Sequence, residues 1–188
     1  MIEYVSITPF NLLQLTFNRV HNLKPIYNTM GLFDFFFNKS NKVNWEEIKT
    51  SDKVYPQPAI SIIMIQSESG KPATGWIDLA YKDYPYKKHC PINLQFNIWL
   101  DENSPVPDMG TVEEYFVNML KPKCIVHRVA RVATDFGMEM DLYIDNSEFA
   151  LQVLNELSES EDKLVEFGCG LNYDPQWKEY DRITQLLT

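Results

Sequence analysis

The chain of 188 residues is 45% hydrophobic, 13% aromatic and 23% charged, with only 7 glycines. That balance excludes collagen-like, low-complexity and wholly disordered chains and suits one domain able to bury its own core. The formal charge is −9, and the excess is concentrated: residues 1–134 hold 14 basic and 13 acidic side chains, residues 135–188 hold 3 and 13.

Phosphate backbones are recognised by clustered Lys and Arg. The distribution therefore excludes DNA as an expected ligand, makes RNA an unfavoured one, and points to a protein partner with a basic surface. Cys90, Cys124 and Cys169 are odd in number and widely spaced, as reduced thiols are and disulfide frameworks are not. No run of 18 apolar residues predicts a membrane span, and the opening lacks a secretory n-region, so a cytoplasmic location is expected.

Residues 1–29 carry no sustained helical or alternating periodicity. Met30-Gly-Leu-Phe-Asp-Phe-Phe-Phe reads as a fresh start, which makes 1–29 a possible non-native or disordered extension. Residues 30–58 are read as an amphipathic segment and linker, with Leu32, Phe33, Phe36 and Phe37 on one helical face and a helical turn at 45–48. The folded body is expected over 59–188 as a single domain. Residues 59–65 and 74–81 predict a hairpin around Gly70, and 92–100 alternates strictly enough to predict a half-buried strand.

After a proline-containing loop, Thr111 and Glu114 form a capping box that predicts a helix ending before Pro122. Residues 125–134 and 138–145 predict a second hairpin. Asn146 or Ser147 predicts the N-cap of a helix along Phe149, Val153, Leu154 and Leu157. A strand at 164–171 follows, then a helix with Asp174 as N-cap and Pro175 in its first turn. The order predicts an α+β fold: an antiparallel sheet with helices packed on one face, its β-α-β-β-α-β portion ferredoxin-like and preceded by a β-hairpin.

Few residues predict chemistry. Asp135-Phe136-Gly137 matches a kinase string, but without the accompanying motifs it reads as a turn. His21, His89 and His127 have no ligand spacing, and Cys124 and His127 are expected on opposite strand faces, so neither metal nor cofactor is expected. A thiol enzyme would need Cys90, Cys124 or Cys169 beside His89 or His127 in space. Glu139 and Asp141 read as a solvated strand face. Arg128 and Arg131, three apart on a strand, are expected on opposite faces, one of them approaching the interior and demanding a carboxylate or carbonyl partner.

Residues 74–180 resemble the bacterial family Domain of Unknown Function 695. The resemblance rests on a Gly-Lys-Pro turn (Gly70 to Pro72), the strand end Ile77-Asp78-Leu79-Ala80, a helix start near Glu113-Glu114, Arg131-x-x-Thr134-x-x-Gly137, a strand carrying Tyr143, and Asp174-Pro175-x-Trp177-x-x-Tyr180. It implies a cytoplasmic binding or regulatory role, since such domains also occur beside modules similar to the ribonuclease E inhibitor B family. It brings no catalytic residues. The expected function is thus a binding or regulatory domain without a catalytic site, with Arg128, Arg131, Tyr143 and Trp177 as candidate partner or anion contacts. The acidic C-terminal third, or the sheet faces of Trp76 and Trp99, would meet the partner. The alternatives are a thiol-dependent or hydrolase-like enzyme using a Cys/His pair, and a regulator of RNA metabolism acting by protein contact.

Overall fold

A computed structural model describes residues 44–66, 70–99, 108–134 and 137–187. The expectations for 1–29 and for the Phe-rich stretch lie outside the described residues, as do parts of the predicted turns at 67–69, 101–107 and 135–136. Six strands form one antiparallel sheet in the order β1-β2-β4-β5-β3-β6. They are β1 (Ile60–Gln66), β2 (Pro72–Asp78), β3 (Ile92–Trp99), β4 (Val126–Thr134), β5 (Gly137–Ile144) and β6 (Glu166–Tyr173). The helices are α1 (Trp45–Ile48), α2 (Met109–Leu120), α3 (Ser147–Ser158) and α4 (Lys178–Thr184). No helix among the described residues is long and apolar enough to cross a membrane.

Period-two alternation splits the sheet into two chemically different faces. On one, Leu94, Phe96 and Ile98 of β3 and Met138, Met140, Leu142 and Ile144 of β5 pack beneath α2 and α3. Phe116 of α2 is their centre, with ring centroids 4.6 Å from Phe96 and 4.9 Å from Phe167. On the other face, Ile77, Val129 and Tyr143 pack with Tyr81, Tyr84, Trp177, Tyr180 and Ile183. The expectation that all helices share one face is therefore corrected: α4 covers the face opposite α2 and α3. Its short inward stripe is paired with the aromatic loop 79–91, which is folded into two 3-10 turns, Leu79–Tyr81 and Lys87–His89.

The Asp174-Pro-x-Trp-x-x-Tyr string builds this second face. Tyr143 donates its hydroxyl to Asp174 Oδ2 at 2.7 Å and stacks on Trp177 with centroids 3.9 Å apart. The Trp177 indole N–H reaches the carbonyl of Cys90, and the Tyr180 hydroxyl reaches that of Asp78. Asp174 is not the N-cap predicted. Trp177 holds a left-handed conformation (φ 56°) at the helix start, and Asp174 Oδ2 accepts from the Glu179 amide inside the first turn.

Two further boundaries differ. The body extends back to Asn44, because Trp45 stacks on His89 and Tyr84 donates to the Val54 carbonyl at 2.6 Å, so residues 44–58 belong to the fold and are not a linker. The N-cap of α2 is Asp108, whose carboxylate accepts from the amides of Gly110 and Thr111 and from the Thr111 hydroxyl; the capping box at Thr111 lies inside the helix. Between β5 and β3, Gly137 (φ 151°) leaves no room for a side chain, since a Cβ there would sit 1.9 Å from the Ile98 carbonyl oxygen.

Tyr143→Phe removes the bond to Asp174 and the one accepted from the Tyr180 amide, and leaves Asp174 underpaired in a buried place. A loss of about 1–2 kcal/mol is expected, seen as a lower urea midpoint at unchanged m-value; an unaltered midpoint refutes the importance of this lock.

Candidate functional site

Among the described residues, the helices leave half of their face uncovered. α2 and α3 lie over β3, β5 and β6, while β1 exposes Ile60, Ile62 and Met64, the last at 83% of its accessible surface. Where α2 meets this open half lies a cleft of about 510 Å³. Trp76, Arg128 and Arg131 line its sheet side, Glu113, Val117 and Lys121 its helix side, and Tyr55, Pro56 and Pro58 its rim.

The two arginines are together because β4 carries a bulge. Arg128 pairs with Leu142 of β5 and Ala130 with Asp141, so Val129 is an extra residue between them. Val129 turns into the aromatic core, and the alternation beyond it shifts by one. Arg128 and Arg131 consequently project from the same face, not the opposite ones expected of residues three apart. Arg131 also lies across from Trp76 in the β2–β4 register, its guanidinium carbon 5.9 Å from the ring centroid.

One carboxylate organises the pair. Glu113 accepts from Arg131 at 2.8 Å through one oxygen and from Arg128 at 3.2 Å through the other, while Glu114 takes a second, 2.6 Å bond from Arg128. The Glu113 side chain keeps 5% of its exposure, against 22% for Arg131 and 43% for Arg128. Burial raises the Glu113 carboxyl more than the two guanidinium groups lower it, so the network fixes geometry more than it adds stability. Each guanidinium has five N–H donors, and only part of each fork is engaged. What remains is a set of unengaged guanidinium N–H donors beside an indole face, in a cleft that Asp78, Glu113 and Lys121 also line, suited to an acceptor group carried on an apolar body.

Of the four candidate contacts, Arg128 and Arg131 thus line the cleft. Tyr143 and Trp177 do not: both are fully buried in the opposite core and are structural members of it. Sequence reasoning missed Glu113 and Tyr55 as site residues. Glu113 left a signal, as one of two adjacent acidic residues within the apolar stripe of α2.

Of the Cys/His pairs weighed in the sequence, Cys124 and His127 do not assemble. Cys124 belongs to one core and His127 to the other, across the sheet. Burial raises the Cys90 thiol well above its ordinary range, pushes Cys124 up to about 12, and also raises exposed Cys169. Burial drives His127 down to about 3, and it sits among Tyr55, Tyr81, Tyr84 and Trp177 with Nδ1 3.3 Å from the Tyr81 hydroxyl. Among the described residues no three His, Cys, Asp or Glu side chains gather as metal ligands. Lys121 joins Arg128 and Arg131 in the cleft, where both arginines are held by glutamates, whereas Lys123 lies over the Phe149 ring.

The polar part of the α4 face is a second cluster. Asp141 accepts from Gln95 at 3.0 Å and Asn93 at 3.3 Å, and Glu179 pairs with Arg182. Burial raises Asp141 to about 6 and, with the charge of Asp141 adding to it, raises Glu139 to about 7.

Two outcomes are expected. Arg131→Met leaves the buried Glu113 carboxylate with one partner fewer, which raises its affinity for a proton in the folded state. The destabilisation should be about 1–3 kcal/mol near pH 8 and should shrink near pH 5 as Glu113 takes up a proton; urea titrations at both pH values that give equal losses contradict this. Glu139 holds a proton in the fold where the unfolded chain has released it, between its ordinary value near 4.5 and about 7. Its contribution is complete below that window and is lost as pH rises through it. Glu139→Gln should flatten the slope and gain about 1 kcal/mol near pH 8, allowing for partial exposure, and a slope identical to that of the parent counts against the assignment.

No family model, no curated protein and no solved structure matches the chain.

Proposed function

We propose that this chain is a non-catalytic binding or regulatory domain that takes a protein segment into the Trp76–Arg128–Arg131 cleft, the segment offering a carboxylate next to an apolar side chain. The observation that carries the reading is the bulge that turns both arginines onto the uncovered half of the sheet. There Glu113 holds them oriented before any ligand arrives, and preorganised donors lose less entropy on binding. The apolar strip of Ile60 and Trp76 and the aromatic rim at Tyr55 supply the contact area that anchors such segments.

The thiol-enzyme alternative is disfavoured by the raised thiols, because the thiolate is the nucleophile and burial withholds it at neutral pH. A regulator of RNA metabolism acting by protein contact is a special case of the same reading, and a cytoplasmic location goes with it. A specific observation favours a second docking surface. The acidic excess includes exposed Glu148, Glu156, Glu159, Glu161 and Asp162 on α3 and its exit, and these would meet the basic partner expected from the sequence. The reading also takes the β3-α2-β4-β5-α3-β6 unit as ferredoxin-like, supported by its strand order β4-β5-β3-β6. Membership in the Domain of Unknown Function 695 family is part of the same proposal, supported by the packed roles of Asp174, Trp177 and Tyr180.

Capture from a bacterial extract with four baits tests this: the parent, Arg131→Glu, its folding-safe companion Trp76→Ala, and Glu159→Lys/Glu161→Lys. A protein held by the parent, weakened about tenfold or more by either cleft substitution and unaffected by the α3 substitutions is the expected result, with binding that weakens as salt rises. Loss only with the α3 substitutions transfers the function to the acidic surface, and binding indifferent to all three refutes both surfaces.

A further inference from the structure

The outer side of β1 carries an inference independent of the cleft. β1 is an edge of the sheet, and among the described residues no strand pairs with its outer side. The Leu79 amide donates to the Ala59 carbonyl at 2.8 Å, and the β1–β2 register pairs Ile60 with Asp78. In an antiparallel ladder, bonded and non-bonded pairs alternate, so 61, 63 and 65 turn their N–H and C=O groups toward β2. Ile60, Ile62, Met64 and Gln66 turn theirs outward.

Edge strands are ordinarily protected by charge, proline or a bulge. The stretch Ile-Ser-Ile-Ile-Met-Ile-Gln has none of these over seven residues, in a chain that is 23% charged. Its outward-facing groups lie on the residues whose side chains are most exposed, Ile62 at 69% and Met64 at 83%.

We infer that β1 pairs with β1 of a second copy of this chain, antiparallel about a two-fold axis at Ile63, giving a continuous twelve-stranded sheet. That register matches outward-facing residues with outward-facing residues, Ile62 with Met64 of the second copy and Ile60 with its Gln66. Each matched pair exchanges two backbone bonds. It also brings Ile62 and Met64 of both copies into one apolar cluster on the α2 face. Charge selects a second copy at this edge over the other one. β6 is built from residues of the acidic third, and two copies joined there would bring their carboxylates together; joined at β1, their acidic thirds lie at opposite ends of the sheet. The contact is smaller than the roughly 800 Å² per partner of standard interfaces, so a reversible dimer with a roughly micromolar dissociation constant is expected.

Sedimentation equilibrium of the full chain from about 1 to 200 μM tests it, with mass rising from 22.0 kDa toward twice that value. Met64→Lys places like charges across the axis and should raise the dissociation constant at least about tenfold while leaving the far-ultraviolet circular dichroism unchanged. Ile62→Lys is the second variant should the first disturb folding. Amide exchange locates the contact: Ile60, Ile62, Met64 and Gln66 should gain protection with concentration while 61, 63 and 65 do not change. A monomer throughout the range overturns the proposal. So does a dimer that both lysine variants leave intact, which would put the contact at β6 or another surface. Partner capture by the cleft is read with Arg131 and Trp76 substitutions, so either result stands without the other.

Discussion

A single extra residue in β4 decides what the open half of the sheet can do. Without Val129 between Arg128 and Ala130, strand alternation would send one guanidinium into the aromatic core, where His127 is already held neutral by burial. An unpaired guanidinium there would cost several kcal/mol. With the bulge, an aliphatic side chain fills that core, and both cations emerge under α2, within reach of one carboxylate. The phase of α2 completes the arrangement: its start at Asp108 keeps Phe116 and Leu120 over the sheet and leaves Glu113 on the flank facing β4.

The two faces divide labour. The α4 face is closed by aromatic stacking and by hydrogen bonds that converge on Asp174, which receives both the Tyr143 hydroxyl and the Glu179 amide. The α2–α3 face is closed over β3, β5 and β6 and open over β1 and β2. Groups that read as reactive in isolation, Cys90 and His127 above all, lie in the closed region, where burial holds them in their uncharged forms. The two guanidinium groups of the cleft lie in the open one, Arg131 keeping 22% and Arg128 43% of side-chain exposure.

Much of the sheet was legible because its strands obey simple periodicities. The alternation of β3 and β5 placed Leu94, Phe96, Met138 and Met140 on one face, and Asn146 caps α3 as its residue type suggested. What escaped was set by long-range packing. Whether α4 sits above or below the sheet depends on which core Trp177 and Tyr180 enter, and no local pattern encodes that. The bulge at Val129 is invisible in a run of β-branched and basic residues, because Val fits a regular strand equally well; the faces of the two arginines were misassigned for that reason alone. Membership of Trp177 in a resembling motif suggests contact with a partner, whereas its role is to stack on Tyr143.

The lock on the α4 face joins parts of the chain made far apart in time. Tyr180 bonds to the Asp78 carbonyl across 102 positions, and Trp177 to Cys90 across 87. Until residues 174–183 leave the ribosome, Tyr81, Tyr84, Tyr143 and His127 have no lid, and a nascent chain with its first strands already synthesised still presents an oily, uncapped surface. Such non-local closure is slow, so the interval between translation of β2 and arrival of Tyr180 is when this polypeptide most needs a chaperone.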